Sequence, residues 1–323
     1  MEKFSQFRDR GSGISPFVPT TTRRPLSWTL LHVLVFIFRL PLFLTYLLLY
    51  ILVLHHLPLP AVARKLLLWG LLGIPGIWWV DLQLDGVKRG SLSQQPPSRV
   101  PHPGSVIAAN FTSPLDALYL AAVFDPVFTI SYPRSRRVRR VGLLRAVAHA
   151  LSSAQLRSSA PPPTSAATTT TTTTDLPTLL RQNRDRIVVV FPECATTNGK
   201  AILPLAPALA HAPPGTVVFP LSVRYAPTDV TTPVPGWAAA GGFLWTLLSQ
   251  PAHGVRVRIA EGMTAHGMEA GRAGAEGEVT AAEQKVLDRI AEALARLGRS
   301  RRVGLTVGDK ARFVEAWMKK GKK

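Results

Sequence analysis

The sequence predicts an α/β fold, a mostly parallel sheet flanked by helices, preceded by a helical membrane anchor. Three observations carry this prediction. A run from Leu26 to Leu59 is almost wholly apolar. After residue 105, short strand-like runs alternate with helical patterns. Those strands read as continuous apolar stretches, as strands buried on both faces do.

Leu40 to Leu59 contains no Lys, Arg, Asp or Glu, and about 20 helical residues match a hydrocarbon core of roughly 30 Å. Arg39 and Pro41 interrupt the run and predict two shorter helices, about 26–39 and 42–56. Arg23 and Arg24 before it, and Arg64 and Lys65 after it, favour a hairpin with both ends cytosolic over a single crossing. Leu66 to Val80 is too short to span and ends in Trp78 and Trp79, which predicts an interfacial helix. Residues 81–105, with Pro96, Pro97, Pro101 and Pro103, read as an exposed loop.

Val106 to Ala109 reads as a strand ending at Asn110. Ser113-Pro114-Leu115-Asp116 then opens a helix through Phe124, because Ser before Pro with Asp three later is a helix-start signature. Residues 158–174, with seven consecutive threonines, read as a disordered insertion. Ile187 to Phe191 and Val217 to Val223 read as buried parallel strands. Val255 to Ile259 alternates with Arg256 and Arg258 and reads as an edge strand or one beside an anion site. Thr280 with Glu283 starts a helix ending at Gly298. The expected organisation is a basic tail (1–25), the membrane hairpin or span with its interfacial helix (26–80), the α/β domain (81–262), and a helical region with a basic tail (263–323).

The chain has 323 residues and a net charge of +19, yet only 18% of it is charged; carboxylates are scarce rather than bases abundant. Its mean hydropathy is positive, +0.16, which excludes a disordered chain. The single cysteine, Cys194, excludes an internal disulfide and a cysteine zinc site. A pI near 11.1 is compatible with nucleic acid, but the arginines are not interleaved with aromatics and no nucleic-acid motif appears, so nucleic acid is not an expected partner.

Three blocks carry a resemblance. Phe191-Pro192-Glu193-Cys194-Ala195-Thr196-Thr197-Asn198-Gly199 resembles the F-P-E-G-T block of the PlsC-type glycerophospholipid acyltransferases, and Asn110-Phe111-Thr112-Ser113-Pro114-Leu115-Asp116 resembles their N-H-x-S-x-x-D block. Val218-Phe219-Pro220-Leu221 resembles their fourth block. Within that family the chain is similar to fungal lysophosphatidic acid acyltransferases that prefer oleoyl-CoA. The resemblance implies acyl transfer from acyl-CoA, as co-substrate, to a lysophospholipid hydroxyl at a bilayer or lipid-droplet surface. It also implies the cytosolic face of the endoplasmic reticulum, and no metal, redox cofactor or obligate protein partner.

The resemblance implies roles for Glu193, Thr196, Thr197, Asn198 and Gly199 at the acceptor's glycerol and phosphate region. Arg136, Arg137, Arg139 and Arg140, in a segment that also holds Arg134 and Arg145, stand where the family has its phosphate-binding block, and arginine forks suit phosphate oxygens. Arg224 is a further phosphate candidate. The departure is Phe111, which occupies the place of the family's proton-accepting histidine. Asp116, directly or through water, is the first candidate for that task, with His149 or His266 second; the alternative is a lipid- or acyl-CoA-binding homologue that has lost the chemistry. Asp116 also reads as a helix-capping carboxylate. Cys194, where the family has glycine, reads either as an inert buried thiol or as an acyl acceptor.

Overall fold

A computed structural model describes residues 2–20, 26–87, 96–157, 173–213, 215–264 and 279–321. Helix α1 (Leu26–Leu49) runs through Pro41 without a break and ends in a π-helical turn, Tyr50–Leu54. The expected division into two helices is therefore corrected. Proline removes one amide bond and crowds the preceding turn, but one stripe of the helix is docked on either side of it, where Phe36, Leu40, Phe43 and Leu47 pack with Leu71, Leu244 and Leu248. The Phe36 ring lies 4.7 Å from that of Trp245. Arg39 donates to the carbonyls of Pro75, Gln250 and Pro251 at 3.0, 2.5 and 2.9 Å.

In chain order there follow α2 (Ala61–Gly73), β1 (Trp79–Leu84), β2 (Val106–Ala109), α3 (Pro114–Phe124), β3 (Val127–Ser131), β4 (Arg137–Val141), α4 (Leu143–Leu151) and α5 (Ala154–Arg157). Next come β5 (Thr173–Asp175), α6 (Leu176–Gln182), β6 (Val188–Val190), β7 (Ala201–Ile202), β8 (Val217–Ala226), α7 (Trp237–Ser249), β9 (Gly254–Ile259), β10 (Met263–Thr264), α8 (Ala281–Gly298), β11 (Arg301–Arg302) and α9 (Val307–Gly321). The main sheet has the order β1-β9-β8-β2-β6-β3-β4-β5, with β10 beside β8. Its centre, β8-β2-β6-β3, is parallel. The flanks are mixed: β9 is antiparallel to β8 and parallel to β1, and β4 is antiparallel to both β3 and β5.

Three further expectations are corrected. β9 is not an edge strand, because β1 covers it; Asp81 and Gln83 of β1 accept from Arg256 and Arg258, both at 2.9 Å, which is why β9 tolerates a polar face. Trp79 to Leu84 is thus a strand rather than part of an interfacial helix and loop, although Trp78 and Trp79 are 75% and 78% exposed. Thr173 and Thr174 are ordered in β5 against β4; the rest of the expected insertion, like His266, lies outside the described residues.

One core lies between the sheet and α2, α3 and α4, and a second between the sheet and α6 and α8. A third joins the amino-terminal segment to α9: Phe4, Phe7, Phe17 and Trp317 all pack around Phe313. The expected basic tail is therefore partly a packed element. Phe313→Ala should cost about 3–5 kcal/mol, measured by denaturant titration, while the exposed Phe38→Ala on α1 should cost far less in detergent.

Candidate active site

The turn after β2 and the turn after β6 meet at the carboxyl ends of the parallel strands, where open α/β sheets build their sites. Asn110 extends the ladder, its side chain donating to the Val223 carbonyl at 3.0 Å and accepting from the Val223 amide at 2.8 Å. The Phe111 amide donates to Glu193 at 3.3 Å, and the Thr197 amide donates to the Phe111 carbonyl at 3.0 Å. The first and third blocks are therefore joined through the position that lacks histidine.

Asp116 forms the expected capping box with Ser113 at the start of α3. One carboxylate oxygen accepts from the Thr112 amide, the Ser113 amide and the Thr112 hydroxyl at 2.7, 2.9 and 3.1 Å; the other accepts from the Tyr225 hydroxyl at 2.5 Å. Complete burial lifts its pKa to about 6 against the pull of these donors. As a direct base it is corrected: its lone pairs are engaged and it is out of reach of solvent.

Glu193 is fully buried and accepts from the Phe111 and Leu203 amides. Burial raises its pKa to about 8, so it is protonated at neutral pH. Cys194 sits at φ +60, the left-handed backbone that explains why glycine suits this position. Its thiol is buried and pushed far above the ordinary range, which fits the inert reading and not the nucleophilic one.

Thr196, Thr197 and Asn198, expected as donors to the acceptor, are buried and bond inward. The Thr196 amide donates to Gln155 at 2.8 Å and its hydroxyl to the Thr232 carbonyl at 2.6 Å. Asn198 donates to the Ser15 and Val18 carbonyls at 2.8 and 2.9 Å, and Gly199, at φ +74, makes the turn behind it. The block is a framework that holds the amino-terminal segment.

Sequence reasoning missed Lys310. It is fully buried, and its ammonium donates to the Thr196 carbonyl, the Thr196 hydroxyl and Gln155 at 2.7, 2.9 and 3.2 Å. Burial lowers its pKa well below the usual lysine value, and Glu193 opposes that shift only when ionised. The available signal was its spacing: Lys310 falls on the stripe with Phe313, Val314 and Trp317 that faces inward. Tyr225 and Gln155 carried no signal of their own.

His149, on α4, stacks on Phe111 with ring centroids 6.1 Å apart and an interplanar angle of 11°. Burial, with the charges of Lys310 and Arg139, lowers its pKa to about 4, so it is a neutral imidazole at pH 7. The expected arginine quartet does not converge. Arg136 pairs with Glu283 at 3.1 Å. The two-residue period of β4 puts Arg137 and Arg139 on the face opposite Arg140. Arg224 donates to the Gly298 carbonyl at 2.8 Å and closes the end of α8.

Glu193 gives a pH prediction. Its folded pKa lies above the ordinary value of 4.5, so its stabilising contribution is complete below about pH 4.5 and is lost as pH rises through about 8. Infrared difference spectra between pH 7 and 9 should show the loss of one protonated carboxyl band, absent in Glu193→Gln.

No family profile matches the chain. A Schizosaccharomyces pombe protein named as a lysophosphatidic acid:oleoyl-CoA acyltransferase is 28% identical over 330 residues, 99% of each chain. Lysophosphatidic acid:oleoyl-CoA acyltransferase 1 of Saccharomyces cerevisiae is 25% identical over 211 residues, covering 64% of this chain and 61% of its own length. Among solved structures, the 1-acyl-sn-glycerophosphate acyltransferase PlsC of Thermotoga maritima aligns with a TM-score of 0.38 and 17% identity, over 84% of this chain and 99% of that one. With three acyltransferase-like blocks in order, this chain is similar along nearly its whole length to a protein named as a fungal lysophosphatidic acid:oleoyl-CoA acyltransferase.

Proposed function

We propose that the chain transfers a fatty acyl group from acyl-CoA to the free hydroxyl of lysophosphatidic acid, giving phosphatidic acid. The observation that carries this is full-length similarity to a relative of that name, with the turns after β2 and β6 joined as one site. In the reaction the acceptor oxygen bonds to the acyl carbon, the carbon–sulfur bond breaks, and the hydroxyl proton leaves to a base. CoA departs as the thiolate or thiol.

We assign the proton to His149. Its ring lies against Phe111, the position where the family carries histidine, and it is neutral at working pH. Its depressed pKa comes partly from nearby cations, so an anionic acceptor bound beside it offsets that charge and strengthens the base. Arg139 is the arginine assigned to the acceptor phosphate: its charge is felt at His149, and its Nε is buried and has no hydrogen-bond partner among the described residues. Asp116 and Tyr225 then hold the Phe111 turn in place as positioning residues. The reaction needs no metal or redox cofactor in this reading.

The apolar amino-terminal helix associates the chain with a membrane. The same reading puts it at the endoplasmic reticulum or a lipid-droplet surface, with the site on the cytosolic side, where acyl-CoA is made available.

The test is transfer from radiolabelled oleoyl-CoA by the detergent-purified chain. His149→Ala should lower kcat by about 10²–10⁴ with an unchanged melting temperature; wild-type kcat would remove His149 from the mechanism. Arg139→Gln should raise the acceptor KM without a matching fall in kcat. No transfer to any lysolipid, with acyl-CoA binding intact, would favour a binding homologue instead.

A further inference from the structure

A cavity of about 620 Å³ lies between the end of the apolar helix and the amino ends of the parallel strands, and the reaction above makes no use of it. Its volume is in the range of small-molecule sites. Its walls bring together Tyr50 and His55 from the end of α1, Arg64 from α2, Arg140 and Arg145 from β4 and α4, and Arg186 before β6. It stands at the far end of α3 from Asp116. Asp125, also in its wall, is nine residues further on, about 13 Å along the helix.

The charges are unevenly matched. Arg64 and Arg186 both reach the Asp125 carboxylate, at 2.5 and 3.3 Å, and occupy it. Arg140 and Arg145 are exposed in the same cavity, and among the described residues neither has a carboxylate partner. Two guanidinium forks sharing one wall without a counter-ion are best satisfied by an anion with several acceptor oxygens. The rim says where that anion comes from. Leu52, Val53 and Leu57, at the same end of α1, are exposed apolar residues, so the arginines sit where a bilayer's headgroups meet its acyl chains.

We propose that this groove binds the phosphate headgroup of an anionic membrane phospholipid, at a site separate from acyl transfer. The proposal does not depend on the acyltransferase reading.

The experiment uses the full chain in neutral detergent and dihexanoyl phosphatidylglycerol, an anionic lipid that is neither acceptor nor product of the proposed reaction. Calorimetric titration should show saturable binding, at least tenfold tighter than for dihexanoyl phosphatidylcholine and for inorganic phosphate. Arg140→Gln with Arg145→Gln should weaken phosphatidylglycerol binding about tenfold or more, with an unchanged melting temperature in the absence of lipid, since both side chains are exposed. If the double variant folds poorly, Arg145→Gln alone is expected to weaken binding severalfold. Undiminished binding by the variants, equal affinity for phosphatidylcholine, or equal affinity for inorganic phosphate would each overturn the proposal.

Discussion

The site depends on one buried amine, that of Lys310. An ammonium taken fully out of water costs several kcal/mol unless its donors are satisfied, and Lys310 satisfies them on Thr196 and Gln155. Those bonds tie α9 and α5 to the turn after β6. The same turn fixes Glu193, whose oxygens take the amides of Phe111 and Leu203, and Asn198, which holds the amino-terminal segment. Three distant parts of the chain thus converge because one buried amine has to have its donors satisfied. The tilt toward neutral forms at Lys310 and Glu193 is the electrostatic expression of the same constraint.

The legible parts of the fold were those with local rules. The Ser113 and Thr280 capping boxes are set by residues three apart, and both helices begin where the spacing puts them. β2, β6 and β8 were legible because a strand buried on both faces must be apolar throughout. β9 and β1 were misread because each one's pattern depends on the other: Arg256 and Arg258 look like an exposed face until Asp81 and Gln83 are beside them. Trp79 looked interfacial because an exposed tryptophan and an edge-strand tryptophan are the same letter.

The site was half legible for a related reason. The blocks that meet at Phe111 could be read, since motif spacing sets local backbone shape. The neighbour of Phe111 was legible only as a second candidate, because His149 reaches it from α4 through tertiary packing. The arginine block showed the opposite failure: adjacent in sequence, its members diverge in space because successive side chains on a strand point to opposite faces.

The hold on the amino-terminal segment also decides how the chain can meet a bilayer. Thr20 donates to the Thr228 carbonyl at 2.9 Å, so the chain is still on the α/β domain six residues before α1 begins. Six residues reach roughly 21 Å at full extension, short of a hydrocarbon core of about 30 Å. At its other end α1 leads into α2 and β1, again on the domain, and Arg39 fastens its middle to the backbone near Pro75 and Gln250. The helix is apolar and long enough to cross a bilayer, yet it is fastened to the α/β domain at its middle and followed on both sides by segments packed on that domain. A crossing would have to part those attachments, whereas a helix that keeps them presents its exposed apolar side chains and the α/β domain to the same surface.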